Sequence, residues 1–207
     1  MIDTPEIEQL LRERARSHGV LLPDLLIPKL LSYYALLTRW NARMNLTSLA
    51  DPAQAIDRLL LEPVKAGQNV PAGRALVDLG SGGGSPAIPL ALTSGARTLL
   101  MIEAKARKAA FLREAVRHLG LTAMVECARF EDVLPKIRRA ADLVSIRAVR
   151  VSEEVLTLVR PTLAPGGETL LFVSNAADLG TTGGLKVDRT VVLLPALGSR
   201  AVFLRAK

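Results

Sequence analysis

The chain has 207 residues, 49% of them hydrophobic, and a formal net charge of +7. That is enough apolar material for one buried core, but no apolar run reaches the ~18 residues that span a bilayer. A single cysteine, Cys127, excludes an internal disulfide, and aromatics at 3% leave no evident stacking platform for single-stranded nucleic acid. The basic excess points to a polyanionic partner, nucleic acid first, against the alternative of a basic enzyme whose charge has no specific partner.

In chain order, the acidic start Met1 to Glu6 lacks a signal-peptide pattern. Thr4-Pro5-Glu6 caps a helix through about Ser17, which Gly19 ends. Pro23 and Pro28 bracket a break. From Lys29 to Arg43, Leu30, Tyr33, Tyr34, Leu37 and Trp40 recur at helical spacing, an aromatic stripe read as core packing. Asp51-Pro52-Ala53-Gln54 has the N-cap and N1 proline of a third helix. Residues 1–70 are therefore expected to form a helical cap on the substrate side, and residues 71–207 a ligand-binding domain.

From Arg74 the pattern alternates. Strands are expected at Ala75–Leu79, Arg97–Ile102, Ala123–Cys127, Ala141–Ile146, Glu168–Val173, Val187–Leu194 and Ala201–Leu204. Helices are expected at Pro86–Thr93, Lys105–Leu119, Glu131–Arg138 and Ser152–Arg160. Alternation of this kind gives an α/β fold: a largely parallel, seven-stranded sheet with helices on both faces. The last two strands have no helix between them and should pair as a hairpin through Pro195-Ala196-Leu197-Gly198. Cys127 reads as a small residue near the end of a buried strand. His18 and His118 read as surface residues at helix ends, and no His/Cys/Asp cluster suggests a metal. Ser81 and Ser85 lie in no nucleophile elbow.

The informative stretch is Leu76-Val77-Asp78-Leu79-Gly80-Ser81-Gly82-Gly83-Gly84-Ser85-Pro86. A buried strand closes on an acid, and four glycines follow in five positions. Such a turn allows a ligand to lie against bare backbone, and Pro86 suits the first turn of the next helix. Glu103 ends the next strand 23 residues after Gly80, near the spacing of about 20 expected for a carboxylate that holds a ribose. The third glycine of the dinucleotide fingerprint is replaced by Ser85. The G-x-G-G-G pattern after Asp78 looks more like an S-adenosylmethionine (SAM) site than a nicotinamide site. On the helix 105–119, Lys105, Arg107, Lys108, Arg113 and Arg117 surround an apolar face. They are either a solvated face or phosphate contacts; Lys105 and Lys108, near the ligand edge, are the better RNA candidates, with Arg150 after the fourth strand.

Several stretches together resemble one family, the ribosomal RNA small subunit methyltransferase G (glucose-inhibited division protein B) family. They are Trp40-Asn41-Ala42-Arg43-Met44-Asn45-Leu46-Thr47, the glycine stretch, Lys105 to Arg113, Ala128-Arg129-Phe130-Glu131-Asp132, Asp142 to Ala148, and Pro195-Ala196-Leu197. The resemblance implies a class I SAM-dependent methyltransferase fold and methyl transfer to N7 of a guanine in small-subunit (16S) rRNA. By matched position Asp78, Gly80, Ser81, Gly82 and Ser85 would line the SAM loop, Glu103 would sit near the ribose, and Phe130 and Glu131 near the adenine. Arg147 would lie at the reaction centre or the SAM edge, and Glu62, standing where the family has Asp, is a second catalytic candidate. Three stretches depart from the family pattern. Ser85-Pro86-Ala87 replaces F-P-G or L-P-G, Leu59 to Pro63 replaces H-x-x-D-S, and Ser174-Asn175 replaces Lys-Gly. Two alternatives stand beside this reading: a SAM enzyme with another substrate, and a non-catalytic RNA-binding protein on the same fold. The expected partner is small-subunit rRNA or the ribosomal subunit, with no membrane, and the expected state is a cytoplasmic monomer.

Overall fold

A computed structural model describes residues 4–48, 50–173 and 183–206. The first helices are α1 (Thr4–Ser17) and α2 (Ile27–Asn41), with Pro28 in the first turn of α2, where its missing N–H is harmless. Asp51 caps α3 (Pro52–Ile56), its side chain accepting from Gln54 N at 2.8 Å. That helix widens into a π segment, Asp57–Leu61, before α4 (Glu62–Gly67). Then follow β1 (Ala75–Leu79), α5 (Ala87–Ser94), β2 (Thr98–Ile102), α6 (Ala106–Leu119), β3 (Ala123–Glu126), α7 (Phe130–Val133), β4 (Ala141–Ile146), α8 (Glu153–Val159), β5 (Leu163–Val173), β6 (Leu185–Leu194) and β7 (Ser199–Ala206).

The seven strands form one sheet in the order β3-β2-β1-β4-β5-β7-β6. β1 to β5 are parallel, and β7 inserts antiparallel between β5 and β6. The hairpin expected at the C-terminus is present, turning through a 3₁₀ segment at Pro195–Leu197. Glu168 on β5 bonds to Arg189 on β6 and to Arg205 on β7, fixing that hairpin to the parallel half.

Alternate residues of the central strands feed two apolar layers. Leu76, Leu99, Met101 and Leu143 pack with α5, α6 and the N-terminal helices. Val77, Leu79, Val144 and Ile146 pack with α8 on the other face. Leu11, Leu30, Tyr33 and Leu37 of α1 and α2 lie in the same cluster as the first of these layers. The N-terminal helices therefore sit directly on the sheet.

Some expectations are corrected. The helix at 131–138 is short, because Pro135 lacks the N–H needed to continue it; a 3₁₀ turn, Leu134–Lys136, takes over. Pro86 is the residue before α5, not its first. Cys127 lies beyond β3, an edge strand only partly buried, and is exposed. His18 is not a surface residue: its side chain is buried, with Nε2 at 3.2 Å from Asp57. Arg14 donates to the same carboxylate from α1. Among the described residues no helix is long and apolar enough to cross a membrane, and no group of three or more His, Cys, Asp or Glu could hold a metal ion.

Candidate functional site

The glycine turn follows β1 and is held from both sides. Gly80 N and Ser81 N both donate to the carbonyl of Ile102, at 2.9 and 3.1 Å, tying the turn to the end of β2. Gly80 has φ +69°, and a Cβ there would stand 2.9 Å from Val149 Cγ2, so this position requires glycine. At Gly82, φ +53°, a Cβ would meet nothing closer than 3.7 Å; the outer side of the turn is open. From α2, the fully buried Tyr33 hydroxyl donates to Gly83 O at 2.6 Å. Tyr33→Phe would leave that carbonyl without its donor. It is expected to lower stability by about 1–3 kcal/mol, measured by chemical denaturation, with a smaller loss of ligand affinity.

Glu103, 7% exposed, braces the turn from β2. Its Oε2 accepts from Gly82 N at 2.9 Å and its Oε1 from Lys105 N at 2.8 Å. A carboxylate has about four acceptor sites, so each oxygen keeps one for a ligand hydroxyl. Asp78 lies beneath the turn, 1% exposed. The strand register sets it beside Ser145, whose hydroxyl donates to Oδ1. Oδ2 is buried with no partner among the described residues.

Burial raises the Asp78 pKa from 3.8 to about 6, opposed by the Ser145 hydroxyl and by the positive charge of Arg147. The native state therefore binds the extra proton, so Asp78 makes stability fall as pH rises from about 4 to about 6. In its charged form this costs roughly 3 kcal/mol. Asp78→Asn should flatten that part of the stability-versus-pH curve, as measured by denaturant titration across pH 3.5–7.

Across the turn, Arg147 directly follows β4, and Ala148 comes next with φ +55°, turning Val149 back over Gly80. Arg147 Nη1 donates to Arg58 O at 2.7 Å and to Ser85 Oγ at 3.3 Å, and lies 3.8 Å from Glu62. Its guanidinium stands 5.9 Å from the Phe172 ring centroid. Its Nε and Nη2 have no protein partner among the described residues. Burial lowers the Arg147 pKa, and Glu62 opposes the shift, so the group stays cationic. Glu62 is itself buried and accepts from Arg58 Nη1 at 2.6 Å.

A sequence profile described as rRNA small subunit methyltransferase G (GidB) matches residues 26–180. The Ribosomal RNA small subunit methyltransferase G of Xanthomonas axonopodis pv. citri (strain 306) is 39% identical over 142 residues, 68% of this chain and 66% of that protein. Its namesake from Stenotrophomonas maltophilia (strain K279a) is 40% identical over 146 residues, 70% and 68% of the two chains. The chain belongs to this family. The matched segment spans 66% of the length of the first of these relatives. The solved structures it resembles share the fold. A SAM-dependent methyltransferase from Aquifex aeolicus superposes with TM-score 0.59 at 17% identity, covering 77% of this chain and 95% of that one. The mitomycin 7-O-methyltransferase MmcR gives 0.57 at 19%, covering 87% and 69%. The α/β class I methyltransferase fold expected from the sequence is thus the fold of the chain.

Of the family-matched residues, Asp78, Gly80, Ser81, Gly82, Ser85, Glu103, Arg147 and Glu62 come together at the carboxyl ends of β1, β2 and β4. Ser81 is buried with its hydroxyl turned inward onto Asp78 O at 3.3 Å, so it offers the open side only backbone. Glu62, the other catalytic candidate, is held by Arg58 and faces Arg147. Phe130 is half-buried at the start of α7, and Glu131 is exposed beside it. Lys108 Nζ lies 4.0 Å from where a Gly82 Cβ would stand, while Lys105 and Arg150 are exposed at the same edge. The Ser174-Asn175 position lies outside the described residues. Sequence reasoning took Tyr33 as core and did not find its bond to the turn. It also missed Asn41, whose Oδ1 accepts from Leu46 N and Thr47 N at 2.8 and 2.9 Å. That bond closes the W-N-x-x-x-N-L-T turn, and Leu46 O would lie 3.5 Å from a Cβ at Gly83.

Proposed function

We propose that the chain transfers a methyl group from S-adenosylmethionine to N7 of a guanine in small-subunit (16S) rRNA. The observation that carries this reading is one arrangement: an open glycine turn bonded to the buried Glu103, with Arg147 held across it, in a member of this family. The residues fit the cofactor. The turn has room over Gly82, Glu103 has acceptor sites left for ribose hydroxyls, and Asp78 keeps a buried oxygen below with no partner among the described residues. Phe130 and Glu131 would border the adenine.

Bound SAM supplies an electrophilic methyl carbon on a sulfonium. Guanine N7 carries its own lone pair, so the chain needs no general base; its work is alignment of N7 with that carbon. Arg147 offers its Nε and Nη2 edge, the planar fork that suits a phosphate or carboxylate. Glu62 supports Arg147 rather than acting on the base. Lys105, Lys108 and Arg150 contact RNA phosphates, which predicts an affinity that falls steeply with salt. Residues 1–70 serve as the substrate-side extension of the methyltransferase domain at 71–207. The chain acts in the cytoplasm as a monomer, on small-subunit rRNA or the subunit.

The test is incubation of the purified protein with methyl-labelled SAM and either naked small-subunit rRNA or assembled subunits lacking the modification. One methyl per RNA, at a position sensitive to N7-methylguanine cleavage, is the expected result. Label transfer to small molecules without RNA would overturn the substrate. Saturable RNA binding without any transfer would overturn the activity.

A further inference from the structure

The helix at 52–67 contains a proline in its interior, where the missing N–H normally breaks the ladder. In an α-helix Leu59 O would accept from residue 63, which is Pro63 and has nothing to donate. Glu62 N instead donates to Asp57 O, and in that π register the donor for Arg58 O would again be residue 63, the N–H that Pro63 lacks. Pro63 thus denies a donor to Arg58 O in the π register and to Leu59 O in the α register, where unpaired backbone groups are costly. Both are satisfied from the site. Ser85 Oγ donates to Leu59 O at 2.9 Å, and Arg147 Nη1 donates to Arg58 O at 2.7 Å. Ser85 also accepts from Arg147 at 3.3 Å, closing a ring of four groups.

We infer that Pro63 is a positioning residue: by withholding its N–H it frees the carbonyls of Arg58 and Leu59 to seat Arg147 and Ser85, which fixes the guanidinium edge that faces the substrate. This rests on the proposed role of Arg147 in methyl transfer. The Ser85 hydroxyl supplies the donor that Pro63 withdraws. π segments of this kind recur at functional sites, because the widened turn presents carbonyls outward.

Two cycles of variants test this. The first is a stability cycle. Ser85→Ala alone orphans Leu59 O and should lower the melting temperature by about 2–4 °C or more. In the Pro63→Ala background the new N–H of residue 63 can serve Leu59 O, so the same change should cost much less. The second is kinetic. Pro63→Ala should lower kcat/KM for RNA by about tenfold, the scale of one charge-assisted hydrogen bond. SAM affinity by calorimetry and the melting temperature should hold or rise. A helix residue with no functional link would move stability and activity together. Arg147→Ala should cost about a hundredfold in the wild type and only about tenfold in the Pro63→Ala background, because the two changes share one contribution. Additive losses in both cycles, or an unchanged kcat/KM in Pro63→Ala, would overturn the inference. A wild-type protein that transfers no methyl to RNA would sink the proposed function alone. The stability cycle would still decide whether Pro63 sets the two carbonyls: additivity there overturns the inference, and coupling supports the seating of Ser85 and Arg147.

Discussion

Arg147→Ala is expected to lower methyl transfer to RNA by about a hundredfold, the loss of one or two charge-assisted hydrogen bonds in the transition state. Affinity for SAM should change far less, because the turn is held by Ile102, Glu103 and Tyr33 instead. The side chain is 19% exposed, its guanidinium clamped through Nη1 by Arg58 O and Ser85 and faced by Glu62. Removing it takes away the Nε and Nη2 edge and leaves the buried Glu62 carboxylate, among the described residues, with Arg58 alone as a cationic partner. Arg147→Lys should recover little, since an ammonium cannot keep both anchors and still present a planar pair of donors. Single-turnover transfer at saturating SAM, beside a calorimetric SAM titration, separates the two effects. Full transfer in Arg147→Ala would remove the residue from the reaction. A SAM affinity that collapses in parallel would make it a cofactor ligand.

The sequence made the parallel core legible and left the site's cross-links hidden. β1 and β4 match their predicted limits residue for residue, because each is an apolar run bounded by polar or glycine signals. β5 starts at Leu163, earlier than expected, because Pro165-Gly166-Gly167 reads locally as a turn; the pairing there shifts register between Ala141 and Leu143. The π segment escaped notice because Leu59, Leu60 and Leu61 are all buried, so no face periodicity survives to mark an extra residue in the turn. His18 looked exposed because its partner, Asp57, is 39 residues away in sequence and is brought near only by the packing of α1 on the π segment. The partners of Arg147 stand at 58, 62, 85 and 172, on four elements; sequence spacing carries no trace of that convergence. Gly80, Gly82 and Glu103 were readable because the turn and the acid lie on consecutive strands of one βαβ unit, where spacing is set by the fold.

Glu103→Ala is expected to weaken SAM binding by about 1–3 kcal/mol, through the two jobs its carboxylate does. One job is visible: it accepts from Gly82 N and Lys105 N, holding the turn against the start of α6. The other is proposed, the acceptance of ribose hydroxyls by its remaining lone pairs. Glu103→Gln cannot replace it, because an amide has one acceptor oxygen and would turn its NH₂ toward one of the two N–H groups. A cofactor product analogue lacking the ribose hydroxyls separates the two jobs by calorimetry. If Glu103 holds the ribose, the wild type should lose affinity for the deoxy analogue, and Glu103→Ala should bind both forms equally weakly. If the variant loses the same factor for both forms that the wild type distinguishes, the carboxylate only props the turn, and the ribose is held elsewhere.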